Sequence, residues 1–165
     1  MWSIIDARRS HIPRLASIIR DANQDVADRF NLTLQNAPSH PSNCVDAWVR
    51  TSMDKGVRYF LLKAAGRFRG CVALERARPQ VFYLERLAVL PPDRRHGYGA
   101  ALTEHAAQEA AKAGGKRLEI GIIAEHFELK QWYQKRGFKA GATKNFDHLP
   151  FGVLFMFLDL GDTRA

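Results

Sequence analysis

The sequence predicts a single α/β domain, residues 1–165, built on a mixed central sheet of six to seven strands flanked by helices. Three observations carry that prediction. Past Leu90 helical and strand patterns alternate, which implies parallel pairing. Ahead of Leu90 two apolar runs flank the turn Ala65-Gly66-Arg67, which implies an antiparallel hairpin. The length is that of one domain, with no break in composition, no repeat and no low-complexity tract.

Ser3–Asp6 is a short apolar run and reads as a first strand. Ser10 is positioned to cap a helix whose apolar residues Ile12, Leu15, Ile19 and Ala22 recur at helical spacing, with Pro13 tolerated in its first turn. Residues 31–43, with their Asn, Ser, His and two prolines, read as loop. Cys44–Lys55 reads as a second helix with Val45, Trp48, Val49 and Met53 on one side and Gly56 as its stop. Strands follow at Val57–Ala64, Phe68–Ala77 and Gln80–Leu90, the last ended by Pro91-Pro92, which cannot donate to a ladder. Gly97–Ala113 is a helix with a narrow stripe of Gly99, Leu102, Ala106, Ala110 and Ala113, closed by Gly114-Gly115. Arg117–Ile123 is a strand, Glu125–Arg136 a helix stopped by Gly137, and Phe138–Thr143 and Gly152–Leu160 are the final strands.

Composition narrows the class. Hydrophobic residues make up 46% and charged residues 25%, ordinary for a globular chain. The two cysteines, Cys44 and Cys71, have neither CxxC nor Cys/His ligand spacing, which argues against a disulfide framework or structural metal and for a reducing cytoplasm. No signal-peptide pattern and no membrane-spanning apolar run is present. The 25 Lys and Arg against 17 Asp and Glu give +8 and a pI near 9.9. These basic residues are dispersed in pairs (Arg8-Arg9, Arg94-Arg95, Lys116-Arg117, Lys135-Arg136), unlike the concentrated stripe of a nucleic-acid binder.

Chemistry concentrates where Leu87-Ala88-Val89-Leu90-Pro91 runs into Arg94-Arg95-His96-Gly97-Tyr98-Gly99-Ala100. A strand ends, a loop with two glycines follows, and a helix begins. Backbone N–H groups at a helix start are unpaired and sit at the positive end of the dipole. Glycines allow close approach and the arginines add charge, so the element reads as a pyrophosphate cradle. It is not a Walker loop, since GxxxxGK[ST] is absent, nor a dinucleotide fingerprint, whose third glycine position is Leu102 here.

The flanks sharpen this reading. L-x-V-x-P-x-x-R-x-x-G-x-G, met without a gap from Leu87 to Gly99, resembles the cofactor motif of the GNAT N-acetyltransferase superfamily. Tyr133-Gln134-Lys135-Arg136-Gly137-Phe138 is similar to that family's Y-x-K-x-G-F element, and the interval from Gly99 to Tyr133 is also the family's. The element order from Ser3 to Leu160 is similar as well. The resemblance implies a GNAT-like fold in which the strand after Gly115 splays from the one ending at Leu90, and acetyl-coenzyme A as co-substrate with no metal. It implies that backbone groups of Leu87, Ala88 and Val89 pair with the pantetheine arm, and that amides from Arg95, His96, Gly97, Tyr98, Gly99 and Ala100 hold the pyrophosphate, with Arg94 at the basic position.

By the same resemblance Tyr133 protonates the leaving thiolate; the plain alternative is a core aromatic beside Trp132. Glu85, on the face of Leu87 and Val89, is the first candidate base, against a simple ion pair with Arg86 or Arg76. His148 is a second candidate and water a third. Two positions depart from the family: His126 stands where Asn is usual, and Leu129 where a small residue is usual. The expected activity is transfer of an acetyl group to a primary amine by direct attack, on a small-molecule or peptide acceptor, in the cytoplasm, without nucleic acid or membrane. A homodimer stays open, as does the acceptor. The rival reading is an acyl-CoA-binding sensor without catalysis.

Overall fold

The computed structural model describes residues 1–161. Its strands are β1 Trp2–Asp6, β2 Arg58–Ala64, β3 Arg67–Arg78, β4 Val81–Val89, β5 Arg117–Ile123, β6 Lys139–Asn145 and β7 Gly152–Asp159. Its helices are α1 Ile12–Ala22, α2 Gln24–Arg29, α3 Asp46–Asp54, α4 Tyr98–Lys112 and α5 Phe127–Lys135. The strands form one mixed sheet in the order β1-β2-β3-β4-β5-β7-β6. The chain divides into two compact units, Met1–Glu75 with Leu84–Ala106, and Arg76–Tyr83 with the segment from Ala107 onward.

In the first unit β1 pairs antiparallel with β2, and β2 with β3 through the turn at Ala65-Gly66, as the hairpin reading expects. One face of these strands, with Tyr59, Leu61, Cys71 and Ala73, packs on α1 and α3. Helix α1 buries the expected Ile12, Leu15, Ile19 and Ala22, and also Ala16 and Ile18. Each large aliphatic or aromatic side chain withdrawn from water in this way contributes about 1.5–3 kcal/mol. The opposite face, with Phe60, Leu62 and Val72, is also fully buried. There Leu102 and Ala106 of α4 are buried and His105 meets the Phe60 ring edge-on at 4.7 Å. Gly70 makes this packing close: a Cβ there would stand 2.7 Å from the Ala88 carbonyl and 3.2 Å from Leu102 Cδ1.

Two local readings are corrected. Ser10 does not cap α1, because Arg9–His11 forms a 3₁₀ turn ahead of it and His11 becomes the capping position; its Nδ1 accepts from the Arg8 N–H at 2.9 Å. Helix α3 starts at Asp46, not Cys44, because the Cys44 N–H closes a 3₁₀ turn on the Pro41 carbonyl. Val45 is therefore left exposed, off the buried face expected for it. Helix α2 lies in a stretch the periodicity left unassigned.

In the second unit the first residues of β4 pair parallel with β5, Val81 to Tyr83 against Arg117 to Glu119. Among the described residues this ladder stops there, although both strands continue. The alternation past Leu90 implied parallel pairing throughout, but β5–β7 and β7–β6 are antiparallel, because the last strand inserts between β5 and β6. Strand β6 is exposed along its whole length, and Phe138 just before it is buried. Among the described residues no helix is long and apolar enough to cross a membrane.

Candidate active site

The loop after β4 is fixed by two arginines. Arg69 on β3 pairs with Asp93 at 3.0 Å, both side chains mostly buried, and gives its Nε–H to the Ala64 carbonyl. Arg94 donates to the Val89 carbonyl at 3.1 Å, the Ala22 carbonyl at 2.7 Å and the Asp25 carboxylate at 2.6 Å. That guanidinium holds the Asp25 carboxyl below its ordinary range. Hydrogen bonds from a charged donor contribute about 1.5–3 kcal/mol each where water is partly excluded. The motif's arginine thus ties the end of β4 to the C-terminus of α1 and to α2, so the open charge next to the loop belongs to the exposed Arg95.

The chain then reverses. Arg95 at φ 67° and Gly97 at φ 79° both occupy the left-handed region, costly for a residue with a Cβ and free for glycine. His96 hydrogen-bonds through Nδ1 with the Asp93 carbonyl at 3.0 Å and stacks on Tyr98. The first bond of α4 runs from the Ala101 N–H to the Gly97 carbonyl. The N–H groups of Tyr98, Gly99 and Ala100 therefore lie ahead of the helical ladder, at its positive end. A Cβ built on Gly97 would meet no protein atom within 4 Å, so the glycine faces open space.

Upstream, β4 carries a feature the alternation rule does not predict. Arg86 has φ 51°, a left-handed residue inside a strand. Glu85 hydrogen-bonds the Glu75 side chain, and Arg86 Nη1 donates to the Tyr59 hydroxyl at 2.6 Å. Tyr59 pairs with Ala73, and Glu75 stands two residues further along β3, so Tyr59 and Glu75 share a face. Consecutive residues Glu85 and Arg86 thus address the same face, which a regular strand forbids and a bulge permits. Glu85 therefore does not share the face of Leu87 and Val89 that plain alternation expected for it; Ala88 lies on its face and Val89 on the other. Burial, the Glu75 hydrogen bond and the neighbouring Glu75 carboxyl push the Glu85 carboxyl up to about 8. Glu85 pairs with neither Arg86 nor Arg76; the latter donates to the Ala113 carbonyl.

Tyr133 lies in α5 of the second unit. It is buried, with its ring edge-on to Trp132 at 5.0 Å and Phe138 at 5.2 Å. Burial raises its phenol far above the usual range, so it holds its proton. His126 caps α5, its Nδ1 accepting from the Leu129 N–H at 3.3 Å, the task an Asn performs at a helix start. His148 is exposed and leans on Phe146. Glu75, Arg86 and Tyr59 were not singled out as site residues from the sequence, because only the bulge brings them together. Among the described residues no group of three or more His, Cys, Asp or Glu side chains gathers as a metal site.

A mixed sheet with a glycine-rich cradle at the start of α4 defines the class, and the sequence comparison agrees. The chain belongs to the GNAT acetyltransferase family, whose model matches residues 20–138. No curated protein sequence matches it. Among solved structures it is similar to the ribosomal-protein-S18-alanine N-acetyltransferase of Escherichia coli (TM-score 0.78, 18% identity, covering 100% of this chain and 97% of that one). It is also similar to an N-acetyltransferase of Staphylococcus aureus Mu50 (0.73, 21%, covering 97% and 99%). A third is the Salmonella typhimurium protein yncA with its cofactor acetyl-CoA (0.71, 17%, covering 99% and 96%). At these identities the likeness carries the fold alone.

Proposed function

We propose that the chain is an acetyl-CoA-dependent N-acetyltransferase that acts on a primary amine by direct attack. The observation that carries this reading is the cradle: left-handed Arg95 and Gly97 turn the backbone into α4, whose first N–H groups, at Tyr98, Gly99 and Ala100, lie ahead of its hydrogen-bond ladder and next to the open space at Gly97. That geometry fits a pyrophosphate, held by the backbone from Arg95 to Ala100. The backbone of Leu87, Ala88 and Val89 would bind the pantetheine arm, and the bound cofactor supplies an activated acetyl thioester. Arg94 serves by holding the loop.

Glu85 is the base in this reading. With its carboxyl raised to about 8, it takes a proton from an ammonium group more readily than an ordinary carboxylate would. The neutral amine would attack the thioester carbonyl; as the carbon–sulfur bond breaks, Tyr133 would pass its phenol proton to the departing sulfur and regain one, directly or through water, from the nitrogen that becomes the amide. Cys44 and Cys71 are buried and take no part. Small-molecule and peptide amines are the two acceptor classes this reading admits; the similar Escherichia coli protein is, by its name, an S18-alanine N-acetyltransferase.

The test is mass spectrometry of an amine library incubated with the protein and acetyl-CoA, with a thermal shift for cofactor binding alongside. Acetylated amines together with a rise in melting temperature support the reading. A cofactor-induced rise with no product from any amine would point to the sensor instead, and no rise at millimolar acetyl-CoA would sink both.

A further inference from the structure

Arg86 is held in one position by a directed chain of hydrogen bonds. Ser52 Oγ gives its one proton to the Val49 carbonyl at 2.9 Å, so in its 2.7 Å bond with Tyr59 it must accept. The Tyr59 hydroxyl therefore donates to Ser52 and has only its lone pairs to offer Arg86, whose Nη1 donates to it at 2.6 Å. The Trp48 ring stands 5.9 Å from the guanidinium carbon. This partly buried cation forms no ion pair with a carboxylate among the described residues, and Tyr59 takes only one of its five N–H donors. Glu85 feels its charge without pairing with it, and the same is true of the buried Cys44 and Cys71. The Arg86 donors that Tyr59 does not take are not sealed from solvent, and a carboxylate or phosphate is the ordinary partner of a half-buried arginine. Here the strained bulge at φ 51° turns it onto the same face as Glu85.

Resting on acetyl transfer with Glu85 as the base, we infer that Arg86 binds a carboxylate of the acceptor, and that the acceptor is a small amino-acid-like molecule with amine and carboxylate close together. Successive Cα atoms lie about 3.8 Å apart, so Glu85 and Arg86 offer an acid and a cation side by side. A molecule with an ammonium and a carboxylate on one carbon meets both. Bidentate contact with the remaining guanidinium donors would supply the missing counter-ion. The N-terminus of a long peptide has no carboxylate at that place and would leave Arg86 unpaired. The Trp48 ring covers one side of the guanidinium.

The experiment uses the full-length protein with a panel of L-amino acids, the carboxamides of the same amino acids, and peptides. Wild type should acetylate acids in preference to amides and peptides. Arg86→Gln should reduce the ratio of kcat/KM for acid over amide by about 10- to 100-fold, chiefly through KM, as expected for a lost charge-assisted bond. Arg86→Lys should restore part of the preference, since it keeps the charge without the fork. If Arg86→Gln does not fold, the Lys variant carries the test, and a preference as large as wild type's would then count against the inference. Amides or peptides acetylated as well as acids by wild type overturn it, as does a preference that survives in Arg86→Gln. Should no amine be acetylated, calorimetry of the same acids and amides with coenzyme A present separates the questions. Carboxylate-dependent binding lost in Arg86→Gln would uphold Arg86 while acetyl transfer falls, and equal binding of acids and amides would overturn it.

Discussion

Arg86 and Arg94 stand on the same stretch of chain, one inside β4 and one just past its end, yet their guanidinium groups are used in opposite ways. Arg94 gives four of its five N–H donors to two carbonyls and a carboxylate, so its charge holds the loop in place. Arg86 has one hydroxyl partner and no carboxylate among the described residues, so its charge remains to be matched. The arginine that belongs to a recognisable motif has most of its donors taken by the protein, and the arginine with no motif has one. A basic side chain in a signature does not by itself contact the anion that the signature binds. What decides is how many of its donors the protein has already taken.

The largest expected effects fall on turnover. Glu85→Gln removes the base while leaving a hydrogen-bonding group beside Glu75, and general-base assistance is typically worth about 10²–10⁴-fold. Steady-state rates at saturating acetyl-CoA should fall by that amount and lose their acidic limb; a full-rate variant would move the role to His148 or to solvent. Tyr133→Phe keeps the ring in its contacts with Trp132 and Phe138 and should cost about 10²-fold, the lower end, because a thiolate leaves readily near neutral pH. A rate within about twofold of wild type would make Tyr133 a packing residue, since assistance of the usual size could not have been lost.

Effects on the cradle come next, and they test the holding role of Arg94 by setting it against its neighbour Arg95. Gly97→Val forces a β-branched residue into φ 79°, at about 1–2 kcal/mol or more of backbone strain, and places methyl groups where the backbone is otherwise open. The rise in melting temperature with acetyl-CoA should vanish, and an undiminished rise would show that the backbone of this loop is not the contact. Arg94→Ala should lower stability by about 1–3 kcal/mol through the three lost acceptors, whereas Arg95→Ala, which removes no such bonds, should leave melting little changed. Equal losses from both substitutions would break the comparison.

How much of this was legible beforehand follows from the range of the interactions involved. The strand, loop and helix around Leu87–Ala100 were readable because glycine placement and helix starts are local, and the element order came from periodicity that short segments carry. The ends of α1 and α3 were not, because 3₁₀ turns at Arg9–His11 and Pro41–Asn43 take over the first hydrogen bonds. The insertion of β7 between β5 and β6 is a long-range choice that alternation does not encode. The bulge at Arg86 was hidden for a similar reason: Val81–Val89 reads as a plain strand. Only the partners Tyr59 and Glu75 show that Glu85 and Arg86 turn the same way. Arg94's partners at Ala22 and Asp25 were equally beyond a local reading.

The smallest effect concerns Glu75, and it bears on why Glu85 titrates so high. Burial raises the Glu85 carboxyl first, and the hydrogen bond and charge of Glu75 raise it further, to about 8 from an ordinary 4.5. Glu75→Gln keeps an amide able to hydrogen-bond but removes the like charge, so the acidic limb of the pH–rate profile should move below 8 while burial keeps it above 4.5. Stability should follow the same shift. A carboxyl raised in the folded state holds a proton that the unfolded chain has released, so its contribution is intact below about 4.5 and is lost as pH rises through about 8. Melting temperature should therefore decline across that window more steeply in wild type than in Glu75→Gln. The difference between the two curves is the readout, because it cancels the other groups that titrate there. Because Glu75 acts through Glu85, turnover well above the limb should change far less than the position of the limb. A limb that stays in place, with parallel melting curves, would show that burial alone sets the Glu85 carboxyl and that the Glu75 pairing is incidental.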